Sequence, residues 1–391
     1  MKRYISSILI VVVMILSIGT YYAQVTSYAS NLPKLTFKTI EGNEKELQSV
    51  ALGGYYEEGS LSEHFRVESN KLKYAKEQSY FEKFFDFYDP NYKRLVNEYR
   101  SFMRDKEYIE TYYEDRDNLT FVTMNVDYEN RQFSSYFNID SLEKKNKDEK
   151  SYEIDVPEQE KYDDITVRDI QFAQSKLQVI TQNDVITKDE KDTVEIHHYT
   201  IDLAGQKIVS DETLLSETFD SSNEGHFSMP SKVDRGMASH VFLLALVKGR
   251  YSEEEGFMEK RGESSLFAYH YDTKKLEKIK IPNEENITFE SVESDFFYDE
   301  ETLYVTGWEE GMNRILTFDI DKRKVINDYK PGSVDFTEIK DGRIFAITKG
   351  ELLIANPKTG KTLYKGELVV DSDDQKKDKN HIIQLHDIYI K

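Results

Sequence analysis

Histidine is the side chain best suited to ligating a metal or moving protons near neutral pH. The chain has eight: His64, His197, His198, His226, His240, His270, His381 and His386. They are scattered, and none forms a helical pair at metal-ligand spacing. His197 and His198 are adjacent in a segment that reads as a strand, so their side chains point to opposite faces and cannot share an ion. Carboxylates stand together at Asp163-Asp164, Glu253-Glu254-Glu255, Glu309-Glu310 and Asp371 to Asp374. General acid–base catalysis needs two of them fixed in a cleft, and in so acidic a chain such runs read first as solvated faces. Asp371-Ser372-Asp373-Asp374 offers hard oxygen ligands for calcium, without the glycine and distal glutamate of a specific calcium loop. There is no Gly-x-Ser-x-Gly elbow, and the 18 glycines form no phosphate loop. The sequence therefore assigns no catalytic, cofactor-binding or metal residue.

Two segments have the composition of binding loops. Lys248 to Glu263 is long and charged, and Gly307-Trp308-Glu309-Glu310-Gly311-Met312-Asn313 places the only tryptophan beside a turn. Loops on a rigid scaffold are where ligands are usually held. The candidate partner-binding residues are Trp308, Arg250 and Tyr251.

Composition narrows the partners. Of 391 residues, 52 are Lys or Arg and 73 are Asp or Glu, a formal charge of −21. This argues against nucleic acid and against anionic lipid surfaces, which call for a basic face. The 27 Tyr and 22 Phe are too many for a disordered acidic chain. With no cysteine there is no disulfide, iron–sulfur cluster, thiol nucleophile or cysteine-type zinc site.

The N-terminus reads Met1-Lys2-Arg3, then an apolar stretch from Ile5 to Ala23. Two positive charges ahead of apolar sequence leave the N-terminus inside and export the remainder of the chain. Residues 1–30 are expected to be a signal-anchor or transmembrane segment, with Tyr21, Tyr22 and Tyr28 as an aromatic belt. Cleavage after Ser27-Tyr28-Ala29, giving a secreted protein, is the alternative. Export without cysteine fits a bacterial envelope.

The elements that must position any site are mostly strands. From Asn31 onward, short β-branched and aromatic runs alternate with polar residues and are separated by turn signals. A strand–acidic turn–strand unit recurs at Leu316 to Ile326, Leu266 to Leu276, Tyr199 to Ile208 and Leu352 to Lys361. In it Asp or Asn can accept from the backbone two residues on. A second hairpin type, as at Phe296 to Gly307 and Phe336 to Ile347, often precedes it, and Asp341-Gly342 is a strong hairpin turn. Two hairpins make a four-stranded antiparallel sheet, and irregular repetition of such sheets marks a β-propeller.

The expected fold is all-β: a six- or seven-bladed propeller over residues 31–391, closed by its two termini. Blades are expected near 48–78, 106–156, 163–214, 224–281, 287–330 and 333–370. The closing blade should join a hairpin at Leu35 to Leu47 with the final run Ile382 to Ile390 in one sheet. A helical insertion is expected at about 79–105. Its second helix starts at Asp89-Pro90 and carries an apolar stripe of Tyr92, Leu95, Val96, Tyr99, Phe102 and Met103.

Leu352 to Tyr364, with Ala355-Asn356-Pro357-Lys358-Thr359-Gly360-Lys361, resembles the repeat of bacterial pyrroloquinoline-quinone-type propellers. In that repeat an Asp/Asn-x-x-Thr-Gly-x turn precedes a tryptophan that docks the blade. Here Tyr364 stands at the tryptophan position. The resemblance implies blade architecture without the quinone, and no cofactor is expected. The functional expectation is a membrane-anchored, extracytoplasmic, non-catalytic scaffold or regulator that binds an envelope protein or peptide. An extracytoplasmic carbohydrate-active enzyme and a small-ligand or metal sensor are the alternatives.

Overall fold

A computed structural model describes residues 10–20, 32–58, 61–68, 71–77, 90–107, 111–129, 132–187, 191–220, 225–233, 236, 238–248, 251–252, 257–258, 265–282, 295–371 and 381–390. The chain divides into two units: Met1–Glu98 with Ser333–Lys391, and Tyr99–Gly332. Residues 10–20 form helix α1. Among the described residues no helix is long and apolar enough to cross a membrane; the expected anchor, 5–23, extends past α1 on both sides.

The first unit contains both ends of the chain. Its strands are β1 (Leu35–Gly42), β2 (Val50–Glu58), β3 (Leu61–Glu68) and β4 (Lys71–Tyr74) from the N-terminal part. In the second unit lie β5 (Thr111–Glu114), β6 (Asn118–Glu129), β7 (Gln132–Glu143) and β8 (Asp148–Asp155), then β9 (Tyr162–Ala173), β10 (Lys176–Val185), β11 (Asp192–Asp202) and β12 (Lys207–Phe219). Next come β13 (Gly225–Ser228), β14 (Ser231–Lys232), β15 (Val241–Lys248), β16 (Tyr251–Ser252), β17 (Phe257–Met258), β18 (Ser265–His270) and β19 (Lys275–Ile279). Strands β20 (Phe296–Tyr298), β21 (Thr302–Glu309), β22 (Met312–Asp319) and β23 (Lys324–Gly332) complete that unit. The C-terminal part of the first unit supplies β24 (Phe336–Lys340), β25 (Arg343–Thr348), β26 (Glu351–Ala355), β27 (Thr362–Val370) and β28 (His381–Ile390).

These strands form six sheets of four or five strands and one short ribbon, β16–β17, among the described residues. The expected blade limits recur as sheets, with β5–β8, β9–β12 and β24–β27 each a simple meander. The turns use the chemistry read from sequence. Asp319 accepts from the Lys322 amide at 2.7 Å, Asp202 from Gly205 at 3.2 Å and Asp299 from Thr302 at 3.2 Å. Asn356 accepts from the Lys358 and Thr359 amides, both at 3.0 Å. At Asp341-Gly342 both residues have positive φ, 49° and 62°, as a two-residue type I′ hairpin requires.

The ends depart from expectation. Leu35 to Leu47 is not a hairpin: β1 is followed by a 3-10 turn, Glu44–Ser49, started by the Asn43 side chain accepting from Lys45 at 3.1 Å. Nor do Leu35 to Leu47 and Ile382 to Ile390 share a sheet. Strand β1 pairs antiparallel with β27, and β28 pairs antiparallel with β2. Each end thus completes a sheet made from the opposite end, and no separate closing sheet forms. The physical reason is burial on both sides. Leu35 joins the apolar cluster with Leu368, while Leu385, Ile388 and Ile390 join it with Leu52 and Val67.

Packing inside the second unit explains its sequence. Val241, Leu243 and Ala245 of β15 pack with Leu303, Val305 and Leu316, while Phe242, Leu244 and Leu246 pack with Ile180, Ile196 and Tyr269. A strand buried on both faces must read as a continuous apolar run, and Val241 to Val247 does. Sheet β9–β12 is covered by the same logic. Leu177 and Val179 meet Phe137 and Ile139 on one side, and Ile180 meets Phe242 on the other.

Tyr364 occupies the docking position anticipated for tryptophan. It is fully buried, and Gly366 on the same strand makes room for it. A Cβ at Gly366 would lie 2.1 Å from the Tyr364 hydroxyl.

The helical insertion is shorter than expected. Helix α2 is Pro90–Glu98, with Leu95 buried and Arg94 bonded to Glu98 at 3.1 Å. Residues 79–89 lie outside the described residues. Past Glu98 the chain tightens into turns that end in a left-handed Asp105 (φ 66°). Phe102 and Met103 are buried there, with Phe102 edge-on to Phe121 at 5.9 Å. The apolar stripe is therefore split between the two units rather than carried by one helix.

Candidate functional site

In the second unit a cavity of about 320 Å³ opens beside β5, β9 and β20, each an edge strand or the partner of an added one. Its polar centre is Asp169 on β9. Between β13 and β15 the chain leaves its own sheet at Met229-Pro230, and the two-residue β14 pairs parallel with β20. That crossing carries Lys232 to Asp169, whose Oδ1 accepts from the ammonium at 2.5 Å. The second carboxylate oxygen accepts from the Tyr271 hydroxyl at 2.7 Å and from the Gln171 amide nitrogen at 3.4 Å. Gln171 in turn accepts from the Ser239 amide at 2.8 Å.

A carboxylate this buried has to be paired, and the pairing shows in its neighbours. The hydroxyl of Tyr271 is pushed well above the usual phenol range by burial and then by the charge and hydrogen bond of Asp169. Tyr298, another wall of the cavity, is raised by burial and by Asp169. Arg168 stands next to Asp169 at a β-bulge. Register passes from Ile180↔Asp169 to Thr181↔Val167, which leaves Arg168 without a cross-strand partner. Bulges re-aim side chains at edges, and Arg168 sits exposed on the cavity lining while donating to Gln182 at 2.8 Å. Tyr112, Phe242 and Met229 add apolar wall. The site can hold a mixed apolar and polar group; its one lining carboxylate is already occupied by a cation and a phenol.

The adjacent histidines have opposite fates. His197 lies between two carboxylates, with Nδ1 2.7 Å from Asp211 and Nε2 3.0 Å from Glu195, and its ring stacks on Tyr199. Burial alone would lower its pKa, but the hydrogen bonds and charges of Asp211 and Glu195 outweigh that and raise it. Both nitrogens donate, so the ring is an imidazolium. His198, on the opposite face of β11, is fully buried, with Nδ1 3.0 Å from the Tyr269 hydroxyl and Nε2 without a protein partner. Burial, and then the Lys274 charge, push it down to about 4. Neither ring reaches the cavity lining; both are packing groups.

Trp308 is half-buried on β21 opposite Asn313, and the segment around it is a tight hairpin turning at Glu310-Gly311 (φ 52° and 79°), not an open loop. Below it the Arg314 guanidinium is held by Asp328 at 2.9 and 2.8 Å and by Glu309 at 3.2 Å. Tyr251 opens β16, paired with Met258, in a different sheet from Trp308. Arg250 lies outside the described residues, as do residues 372–374 of the acidic run.

Sequence reasoning missed Asp169 and Lys232. The available signal was a carboxylate set within the otherwise alternating strand Ile165 to Phe172.

No family model matches the chain, and no curated protein matches it. Among solved structures, TolB from Acinetobacter baumannii is similar at 9% identity and TM-score 0.28, over 88% of this chain and 67% of that one. The β-propeller domain of the trilobed protease from Pyrococcus furiosus is similar at 13% identity and TM-score 0.28, over 84% of each. The uncharacterized protein lmo1340 from Listeria monocytogenes EGD-e is similar at 11% identity and TM-score 0.33, over 67% of each. Similarities this distant carry no functional argument.

Proposed function

We propose that the chain is a six-bladed β-propeller acting as a non-catalytic binding scaffold of the bacterial envelope, with its cavity beside β5, β9 and β20 receiving a protein or peptide segment. Each of the six sheets corresponds to one blade, and the likeness of Leu352 to Tyr364 to quinone-type repeats is one of blade architecture. The export signal at residues 1–30 holds residues 31–391 outside the cytoplasmic membrane, as a single-pass anchor or, if cleaved, in secreted form. The observation that carries the binding reading is the engagement of Asp169 by Lys232, Tyr271 and Gln171. Proton transfer or nucleophilic attack needs a carboxylate with an uncommitted oxygen, and two-carboxylate glycan hydrolysis needs a pair. Among the described lining residues there is one carboxylate.

The test is site-specific photo-crosslinking in cells making the full chain. A photoreactive residue at Arg168 should give a discrete adduct, and the same residue at exposed Val209 on β12 should not. Equal labelling at both positions, or none at Arg168, would overturn the assignment. A reporter after Lys391 that works only in the cytoplasm would overturn the topology.

A further inference from the structure

Two exposed histidines separated by most of the sequence meet on one sheet face. His64 is on β3 and His386 on β28, on either side of β2, and their rings stand 5.8 Å apart, edge to face. Tyr55 lies between them, 6.3 Å from His64 and 6.0 Å from His386. Strand β28 carries an irregularity here: Gly54 pairs with Leu385 and Gly53 with Asp387, leaving His386 unmatched. In a regular strand consecutive side chains point to opposite faces, and a bulge removes that alternation. His386 and Asp387 are accordingly brought together, with Nε2 3.2 Å from Oδ2. The Tyr389 hydroxyl donates to the same Oδ2 at 3.4 Å. The bulge depends on Gly53-Gly54 opposite it, since a Cβ at Gly54 would lie 2.6 Å from the Gln384 carbonyl oxygen.

We propose that His64, His386 and Asp387 bind a divalent transition-metal ion, zinc being the probe of choice. Nitrogen and oxygen ligands at about 2.1 Å on a tetrahedral ion stand about 3.4 Å apart, which the His386–Asp387 separation nearly matches. Among the described residues no three ligating groups already converge on one point. Here two are set at ligand spacing, and the exposed His64 ring closes the site by side-chain rotation. Imidazole and carboxylate suit zinc, nickel and copper, with water filling the fourth position. The Tyr389 hydrogen bond would orient the carboxylate as outer-sphere partners of metal ligands do. An ion there would fasten β28 to β3 across β2, tying the last strand of the chain to an early one.

The test uses the full-length, tag-free chain in mild detergent, stripped with a chelator and titrated with zinc chloride by calorimetry and by thermal unfolding. One zinc per chain should bind and raise Tm. His64→Ala and His386→Ala should each weaken binding by roughly 10- to 100-fold or more, the range even for lost outer-sphere partners, and abolish the Tm rise. His226→Ala, on β13, should change nothing. Both histidines are exposed, so the variants fold, and circular dichroism checks this. Absence of binding at millimolar zinc, or binding unchanged in both histidine variants, would overturn the proposal.

Discussion

Acidification should cost this protein stability through His198. The ring is fully buried and its pKa is held down to about 4 by burial and by Lys274, whereas an unfolded histidine titrates near 6.5. The sign is set by proton uptake: between the two values the unfolded state binds a proton that the folded state refuses. Stability is therefore intact above about pH 6.5 and falls as pH drops toward 4. At about 1.4 kcal/mol per pH interval separating the two pKa values, integration from pH 7 to pH 5 gives a loss of about 2 kcal/mol. His197 acts oppositely: its pKa is raised, so its contribution is fully present below about pH 6.5 and fades as pH rises through the folded value. Over pH 7 to 5 His197 opposes the loss, and the carboxylates titrate little. The clean measurement is a difference, with urea unfolding of wild type and His198→Gln at both pH values. Trp308, the only tryptophan, reports on the unit that contains His198. Wild type should lose about 2 kcal/mol more than the variant between pH 7 and 5. Equal losses would refute a buried neutral His198.

Lys232→Met strands the Asp169 charge and should destabilise by about 3–5 kcal/mol, while adding Asp169→Asn should recover most of it, read by chemical denaturation. Gly366→Ala sets a methyl 2.1 Å from the Tyr364 hydroxyl and should cost about 1–3 kcal/mol, seen as a lower Tm; an unchanged Tm would mean Tyr364 is not seated as described. Deleting residues 381–391 removes buried Leu385, Ile388 and Ile390, each worth about 2–5 kcal/mol when truncated. The first unit should then lose protease resistance altogether rather than fray at a tail.

What could be read from sequence was local. Strand alternation, the acidic turns at Asp202, Asp299 and Asp319, and the hairpin at Asp341-Gly342 depend on residues a few positions apart, and each formed as read. Sheet limits were legible because each meander closes on itself. Pairing of the ends was not, since whether Phe37 meets Leu368 or a residue of β28 depends on which apolar faces remain uncovered after the other sheets form. The cavity was hidden for the same reason: Asp169 meets Lys232 and Tyr271 across 63 and 102 positions. The bulges at Arg168 and His386 have no one-residue signature, yet they decide which side chains share a face. Trp308 drew attention by rarity and proved to sit in a tight hairpin.

Interlocking ends are the basis of the whole architecture, and a chain without cysteine allows a clean test. Glu57 on β2 lies opposite Ile382 on β28, and directly paired strand residues fall within the roughly 4.4–6.8 Å between Cα atoms that a disulfide spans. In a Glu57→Cys/Ile382→Cys variant, mild oxidation should link the two cysteines within each folded chain, with mobility shifting on a non-reducing gel. A Phe37→Cys/Ile382→Cys variant should stay unlinked. The reverse pattern, with position 382 linking to position 37 and not to position 57, would contradict the account and restore a single closing sheet.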